Sequence, residues 1–577
     1  MPFEMSTIAL PTTSTQTDEM FGHPKGLYVC FFTEMWERFS FYGMKALLLL
    51  YLLKHHLFTE TDGYVIVGAY GGMVYAVPLI GGLLADRFLG MRKAVVLGGI
   101  LLCLGHLGMA WEGQQATTIN GVVHRDAVAL GVFYLSLSLI ISGVGFLKPN
   151  ISTIVGKLYP PNDPRVDSGF TIFYAGINVG ALFSSLICGY LGEVWGWGWG
   201  FGAAGIGMLA GLGMFLSGQK YLQGHAEPRD PEKLRRRVLG PLTIEWCIYI
   251  GVVVALPLVW LLMQLGYSVL YLQFAFTATW LGWFAWYIFA RCTKVQREQM
   301  LTVVFFIASA LLFFAMYEQT YGSWLVFTDR MLTKDFFPSL VITQGKPWPW
   351  SIIPLVLAPP TVAIALRLPH ARATLLVAAI AALGFALFLR DILVLPQTAE
   401  SLEYLASWVL VLLTPVFGWL WPWLEKHGRN PSKPVKNALG LAFTGLSFLV
   451  LSAANASVTP EHLGSVWWLL GAYIVLEIGE LCLSPIGLAA VTQLSVVSVV
   501  GLMMGAYWLA TSLAEQAAAL FSSFAALDIG EGEKIDFAVA KLKYGALFDH
   551  MLWLGLAAAL VAFLLSPIIK RWMHGVK

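Results

Sequence analysis

The sequence predicts an all-α polytopic membrane protein. It has two six-helix bundles, an extra helix pair between them, and a further hydrophobic hairpin inside the second bundle. Three observations predict this. Of 577 residues, 58% are hydrophobic and 12% charged, whereas a soluble domain is about 25% charged. Mean hydropathy is +0.71. Apolar runs close to the roughly 20 residues needed to span a bilayer recur along the whole chain, and the polar joints between them alternate in Lys and Arg content.

The N-terminal stretch 1–26 is polar and rich in Ser and Thr. It lacks the basic segment and cleavage site of a signal peptide, so the first apolar run is expected to persist in the mature protein. Runs at roughly 27–53, 63–85, 94–111, 127–147, 168–191 and 200–222 form the first group of six. A basic connector follows, Gln223 to Arg237. The linker 223–299 carries two added runs, roughly 240–265 and 268–290. The second group occupies 300–577, with runs near 300–327, 404–424, 437–454, 464–492, 499–525 and 548–569. The insertion, about 340–395, contains apolar runs at 350–367 and 372–389; Pro354, Pro359 and Pro360 leave open whether the first is a full or a broken span. Placing the Lys- and Arg-rich joints inside puts both termini in the cytoplasm. Repetition of Pro78-Leu-Ile-Gly81 as Pro415-Val-Phe-Gly418, each before a basic joint, points to a transporter built from repeats.

Six cysteines show no disulfide or metal spacing and read as small buried hydrophobes. No metal or cofactor is expected. A net charge of +2 gives no footprint for nucleic acid.

The first apolar run contains Glu34-Met35-Trp36-Glu37-Arg38. One charge at the bilayer centre costs at least about 2.5–3.5 kcal/mol. Three within a turn and a half must therefore face protein or a water-filled cavity, as a structural latch or a functional site. Lys45 extends the anomaly. Gly81-Gly82 to Asp86-Arg87 lies at a helix–helix joint. There the glycines permit close approach, and Asp86 can pair with a basic group or a helix N-terminus, acting as a conformational latch. Lys148 sits near a helix end, either snorkelling or facing a cavity. Asn178, inside a helix, is either interhelical glue or a ligand contact. Glu318 and Asp329 share one run. Glu477 and Glu480 precede Pro485, which should kink their helix. Glu515 is a further acid with no partner legible in the sequence. Tyr42, Tyr75 and Trp508 share runs with these polar groups.

Four stretches together resemble the proton-dependent oligopeptide transporter family of the major facilitator superfamily, bacterial type. They are Glu34-x-x-Glu37-Arg38-Phe39-x-Phe41-Tyr42-Gly43, Gly81 to Lys93, Phe173 to Gly180, and Gly479-Glu480-Leu-x-x-Ser484-Pro485. The resemblance implies a symporter, not an enzyme, that imports di- and tripeptides with protons by alternating access. It implies that Arg38 and Lys148 receive the peptide carboxylate. Asn178 and Glu480 receive the amino group, and Glu480 pairs with Lys148 when the site is empty. Tyr42, Tyr75, Trp508 and Ser512 line the cavity. Glu34 and Glu37 couple protons together with Arg38 and Glu480. Lys45 pairs with Asp329 as a gate. The expected partners are peptide, protons and the lipid bilayer, with the chain a monomer in the bacterial inner membrane.

The sequence departs from the family at three places: Phe41 where Tyr is usual, Ala406-Ser407 where many members have Asn, and Gly68 where animal members have His. Proton coupling is thus expected to rest on carboxylates. The alternatives are a related carrier for nitrate or another organic anion, and a membrane-embedded peptidase. The intact acid–acid–arginine motif and Lys148 argue against the first. The absence of an HExxH or Ser-His-Asp set argues against the second, since His106 stands alone in its run.

Overall fold

A computed structural model describes residues 19–160, 163, 165–228, 230–337, 379, 383, 397–527 and 535–576. The expected hairpin at about 340–395 therefore falls outside the described residues, apart from 379 and 383. The fold is all-α, and each of the other fourteen apolar runs is a long helix. They are α1 (Lys25–Lys54), α2 (Glu60–Leu89), α3 (Met91–Met109), α4 (Ala127–Lys157), α5 (Ser168–Trp195), α6 (Trp197–Leu222), α7 (Ile244–Gln264), α8 (Tyr267–Ala290), α9 (Lys294–Met331), α10 (Ser401–Lys426), α11 (Lys433–Ser457), α12 (Val466–Leu494), α13 (Val497–Ser523) and α14 (Phe537–Trp572).

Among the described residues, twelve of these are long and apolar enough to cross a membrane, by length and composition. α1 is not one of them, because its charges are spread along its whole length. α8 is uncharged, but its Trp, Tyr, Thr and Gln residues lower its hydropathy. Local chemistry starts several helices. Asp126 accepts from the N–H groups of Val128 and Ala129 ahead of α4, and Thr293 and Gln296 form a capping box at α9.

Two large buried cores and a smaller third organise the described residues. One is built mainly from α1 to α6, another mainly from α9 to α14, and the small one joins α2, α3, α4 and α7. α1 packs on α5 and α6, α3 on α4, and α11 on α12 and α14, while α2 packs across the divide onto α13. α7 and α8 lie outside, against α4, α2 and α13, with Val254 and Phe276 fully on the exterior. Such an apolar outer face suits lipid.

Glycines set the closest approaches. In α4, Pro149 cannot donate to the Gly145 carbonyl. That freed carbonyl is where α2 comes nearest: a Cβ on Gly81 would lie 2.1 Å from it. Gly98 meets Gly143 in the same way, with its virtual Cβ 2.6 Å from the Gly143 oxygen. Gly90, at φ +74°, turns the chain between α2 and α3 in a conformation that favours glycine.

The two bundles are tied at one end and parted at the other. At the tied end Arg330 pairs with Glu60, whose other oxygen accepts from the Leu527 N–H (3.0 Å). Lys54 reaches Asp329 (3.1 Å) and Glu193 (3.3 Å). At the opposite end Tyr174 of α5 and Leu502 of α13 are exposed. α1 begins and α14 finishes at this open end, where His574 meets Glu298 at the start of α9.

The glycine contacts yield a test. Gly98→Val drives a side chain into the α4 backbone and is expected to destabilise by about 1–3 kcal/mol. Gly251→Val, where nothing lies within 4 Å of the virtual Cβ, should leave the melting temperature in detergent unchanged. Equal melting temperatures for the two variants would contradict the packing described here.

Candidate functional site

A polar cleft lies between the bundles, its walls supplied by different halves of the chain. On the first wall, Arg38 of α1 is buried and held by two acids of its own helix. Its Nη2 donates to Glu37 Oε1 (2.6 Å), its Nε pairs with Glu37 Oε2, and Glu34 Oε1 lies 3.2 Å from Nε. The i, i+4 spacing of Glu34 and Arg38 makes this possible. The guanidinium also lies over the rings of Phe41 (5.0 Å) and Tyr42 (5.9 Å). Glu34 Oε2 is buried without a hydrogen-bond partner.

α5 is brought onto α1 by Gly176 and Gly180, four residues apart. A Cβ on Gly180 would come 2.2 Å from the Met35 carbonyl, and one on Gly176 2.9 Å from Phe31. Asn178, two residues from each glycine, falls on the other side of α5 from this contact at 3.6 residues per turn. The Asn178 amide nitrogen donates to the Tyr174 carbonyl of its own helix (3.0 Å).

Lys148 is not paired with Glu480. Its ammonium sits over Tyr75 (4.6 Å) and Trp508 (5.5 Å). These two rings stack at 6.2 Å with planes 8° apart, joining α2 to α13 across the cleft. Desolvated cation–π contacts are worth about 2 kcal/mol, and here they replace the expected ion pair. On the opposite wall Glu477 Oε1 accepts from Tyr317 (3.2 Å), and one oxygen each of Glu477 and Glu480 is buried without a hydrogen-bond partner. Pro485 lies inside α12, where it leaves the Leu481 carbonyl without its helical donor.

Three further expectations are corrected. Lys45 does not meet Asp329. It meets Glu318 (2.7 Å) and Glu515 (2.8 Å), all three buried, while Asp329 takes Lys54 and Lys334. The reason is axial rise: Glu318 and Asp329 are about 16 Å apart along a helix at 1.5 Å per residue. Lys45 and Lys54 offer cations at two matching levels. Ser512 is fully buried in the α2–α13 seam rather than on the cleft wall. It donates to the Gly72 carbonyl (2.6 Å) and accepts from Gln273 of α8 (2.7 Å). Asp86 and Arg87 are exposed and make no ion pair among the described residues. Arg92 and Lys93 instead hold Glu227 (2.5 Å) and Glu245 (2.6 Å).

Glu318 and Glu515 have no partner legible in the sequence, yet both pair with Lys45. The signal for them in the chain is two acids inside apolar runs and one cation, Lys45, inside another.

The comparisons agree with this architecture. A sequence model described as the POT family matches residues 92–342 and 393–532. An uncharacterized transporter of Bacillus subtilis, YclF, is 30% identical over 576 residues, covering 96% of each chain. A di-/tripeptide transporter of Lactococcus lactis is 32% identical over 516 residues, covering 86% of this chain and 88% of that one. A solved mutant of the peptide transporter POT, in complex with alafosfalin, superposes with a TM-score of 0.72 at 28% identity, covering 96% and 97% of the two chains.

The Lys45 cluster predicts a stability order. Removing one partner from a buried ion cluster costs about 3–5 kcal/mol, whereas an exposed pair contributes about 0–1 kcal/mol. Lys45→Met is expected to lower the melting temperature far more than Lys54→Met, whose side chain is 35% exposed. Thermal unfolding of the two purified variants measures this.

Proposed function

The chain belongs to the POT family, and from that membership and the cleft we propose that it is a proton-coupled symporter for di- and tripeptides. The observation that carries this reading is the division of charge across the cleft. Arg38 and Lys148 stand on the wall from the first bundle, while Glu477 and Glu480 stand on the wall from the second. A zwitterion needs a cationic end for its carboxylate and an anionic end for its ammonium, and the free oxygen of Glu480 suits the second role. Asn178 lies on the first wall, and Tyr42, Tyr75 and Trp508 supply apolar sides.

Arg38 is occupied by Glu37 and Glu34. Protonation of Glu37 removes one anionic partner and frees the guanidinium for the peptide carboxylate. Lys148, already without an ion pair in this arrangement, is the more available cation. Alternating access follows from the tied and parted ends: the Lys54–Asp329 and Glu60–Arg330 ties hold one end shut while the other stays open. Gly81, Asp86 and Arg87 lie at the parted end, where they would act when it closes.

The Lys- and Arg-rich joints support a reading in which the parted end and both termini face the cytoplasm. The relatives are bacterial, which supports the inner membrane. Both walls come from one chain, so a monomer contains the whole cleft.

Uptake of labelled dialanine into liposomes under an imposed proton gradient tests the reading. Accumulation should rise as the outside is made more acidic and compete with unlabelled dipeptide rather than with nitrate. Glu37→Gln should abolish accumulation while sparing counterflow, and full accumulation in that variant would remove Glu37 from the coupling mechanism. Lys148→Ala should lose uptake and counterflow together.

A further inference from the structure

One buried group takes no part in the peptide cleft. Glu515 of α13 places Oε1 2.8 Å from Lys45 Nζ, and Glu318 Oε2 lies 2.7 Å from the same nitrogen. Lys45, Glu318 and Glu515 are 2%, 8% and 3% exposed. One ammonium thus stands between two carboxylates contributed by two helices of the other bundle. The Glu515 carboxyl also presses on α2, since a Cβ on Gly71 would come within 2.4 Å of its Cδ and Oε2. Tyr321 lies over Lys45 (4.6 Å). A pocket lined by Glu318, Glu515, Tyr321, Tyr64 and Ser522 adjoins both acids.

A latch between bundles requires only one acid. With both carboxylates ionised the buried cluster carries one excess negative charge, which is costly away from water. The other titratable groups within electrostatic reach of the cluster are Tyr42 of α1, Tyr70 and Tyr75 of α2, Lys148 of α4, Tyr321 of α9, Glu403 of α10 and Glu480 of α12. Lys148 stands over its two rings, and among the described residues Lys45 alone forms an ion pair with Glu318 or Glu515.

We propose that Glu515 is a proton-carrying acid of the symport cycle, with Lys45 and a proton as its alternative partners. The proposal rests on the symport reading above and adds a residue outside the four motif stretches. Proton arrival forms one O–H bond on the Glu515 carboxylate and breaks its ion pair with Lys45; no other bond changes. The tie from α1 to α13 then weakens while Lys45–Glu318 remains, so the shut end is loosened when a proton is aboard. Release of that proton restores the double pairing and the shut end.

Equilibrium accumulation tests this, because it reads the number of coupled protons rather than the rate. With the membrane potential clamped at zero, each coupled proton contributes about tenfold to the accumulation ratio per pH unit of gradient. In full-length protein reconstituted into liposomes, Glu515→Gln is expected to lower the dialanine ratio by about tenfold per pH unit, with counterflow retained. Glu515→Asp, which keeps the acid, should restore the ratio. An unchanged ratio in Glu515→Gln overturns the proposal and leaves the symport reading intact. Loss of counterflow together with accumulation in Glu515→Gln, not rescued by Asp, makes Glu515 structural and also overturns it. Absence of counterflow in the unsubstituted protein would instead remove the symport reading, and this proposal with it.

Discussion

The cost of a buried charge governs this structure. α1 carries Glu34, Glu37, Arg38, Lys45 and Lys54 along a helix that is otherwise apolar and almost wholly enclosed. Isolated, such a helix would be intolerable in hydrocarbon. It is tolerated because each charge meets a partner at its own level: Arg38 within α1, Lys45 from α9 and α13, Lys54 from α5 and α9. The first of these partnerships is local. The Lys45 cluster and the Lys54–Asp329 pair exist only while the bundles touch, whereas Lys54–Glu193 stays within the first bundle. The electrostatic needs of one helix therefore make the contact between the two halves a switchable quantity.

Backbone proximity supplies the second condition. Gly176 and Gly180 seat α5 on α1, Gly81 seats α2 on the carbonyl that Pro149 leaves free, and Gly71 and Gly72 admit Glu515 and Gln273 against α2. Without side chains at these points, helices meet through their main chains and direct neighbouring polar groups into the interface. Ser512 illustrates the result. Its hydroxyl is fully used between the Gly72 carbonyl and Gln273, so the extra helix α8 takes part in the seam that holds the shut end together.

Much of this was legible in the chain. The positions of twelve helices follow from long apolar runs, and those of α1 and α8 from runs that charges or aromatic and polar residues make less hydropathic. Glu34, Glu37 and Arg38 were legible as a cluster because their spacing fixes their contact on one helix. The long-range pairings were not legible. The resemblance pairs Lys45 with Asp329 and Lys148 with Glu480, whereas Lys45 meets Glu318 and Lys148 meets a pair of rings. It sets Ser512 on the cleft wall, whereas the side chain lies in a seam. Each of these depends on the relative height and rotation of helices far apart in sequence, which hydrophobic periodicity leaves undetermined.

The sequence by itself determined the class of protein, the number and order of its apolar runs, and the presence of buried charges that demand partners. Only the tertiary structure decided who those partners are. Desolvation cost is a property of a single helix and can be read along it. Pairing is a property of the distance between helices, and Glu515 acquires its partner only when α13 is laid against α1 and α2.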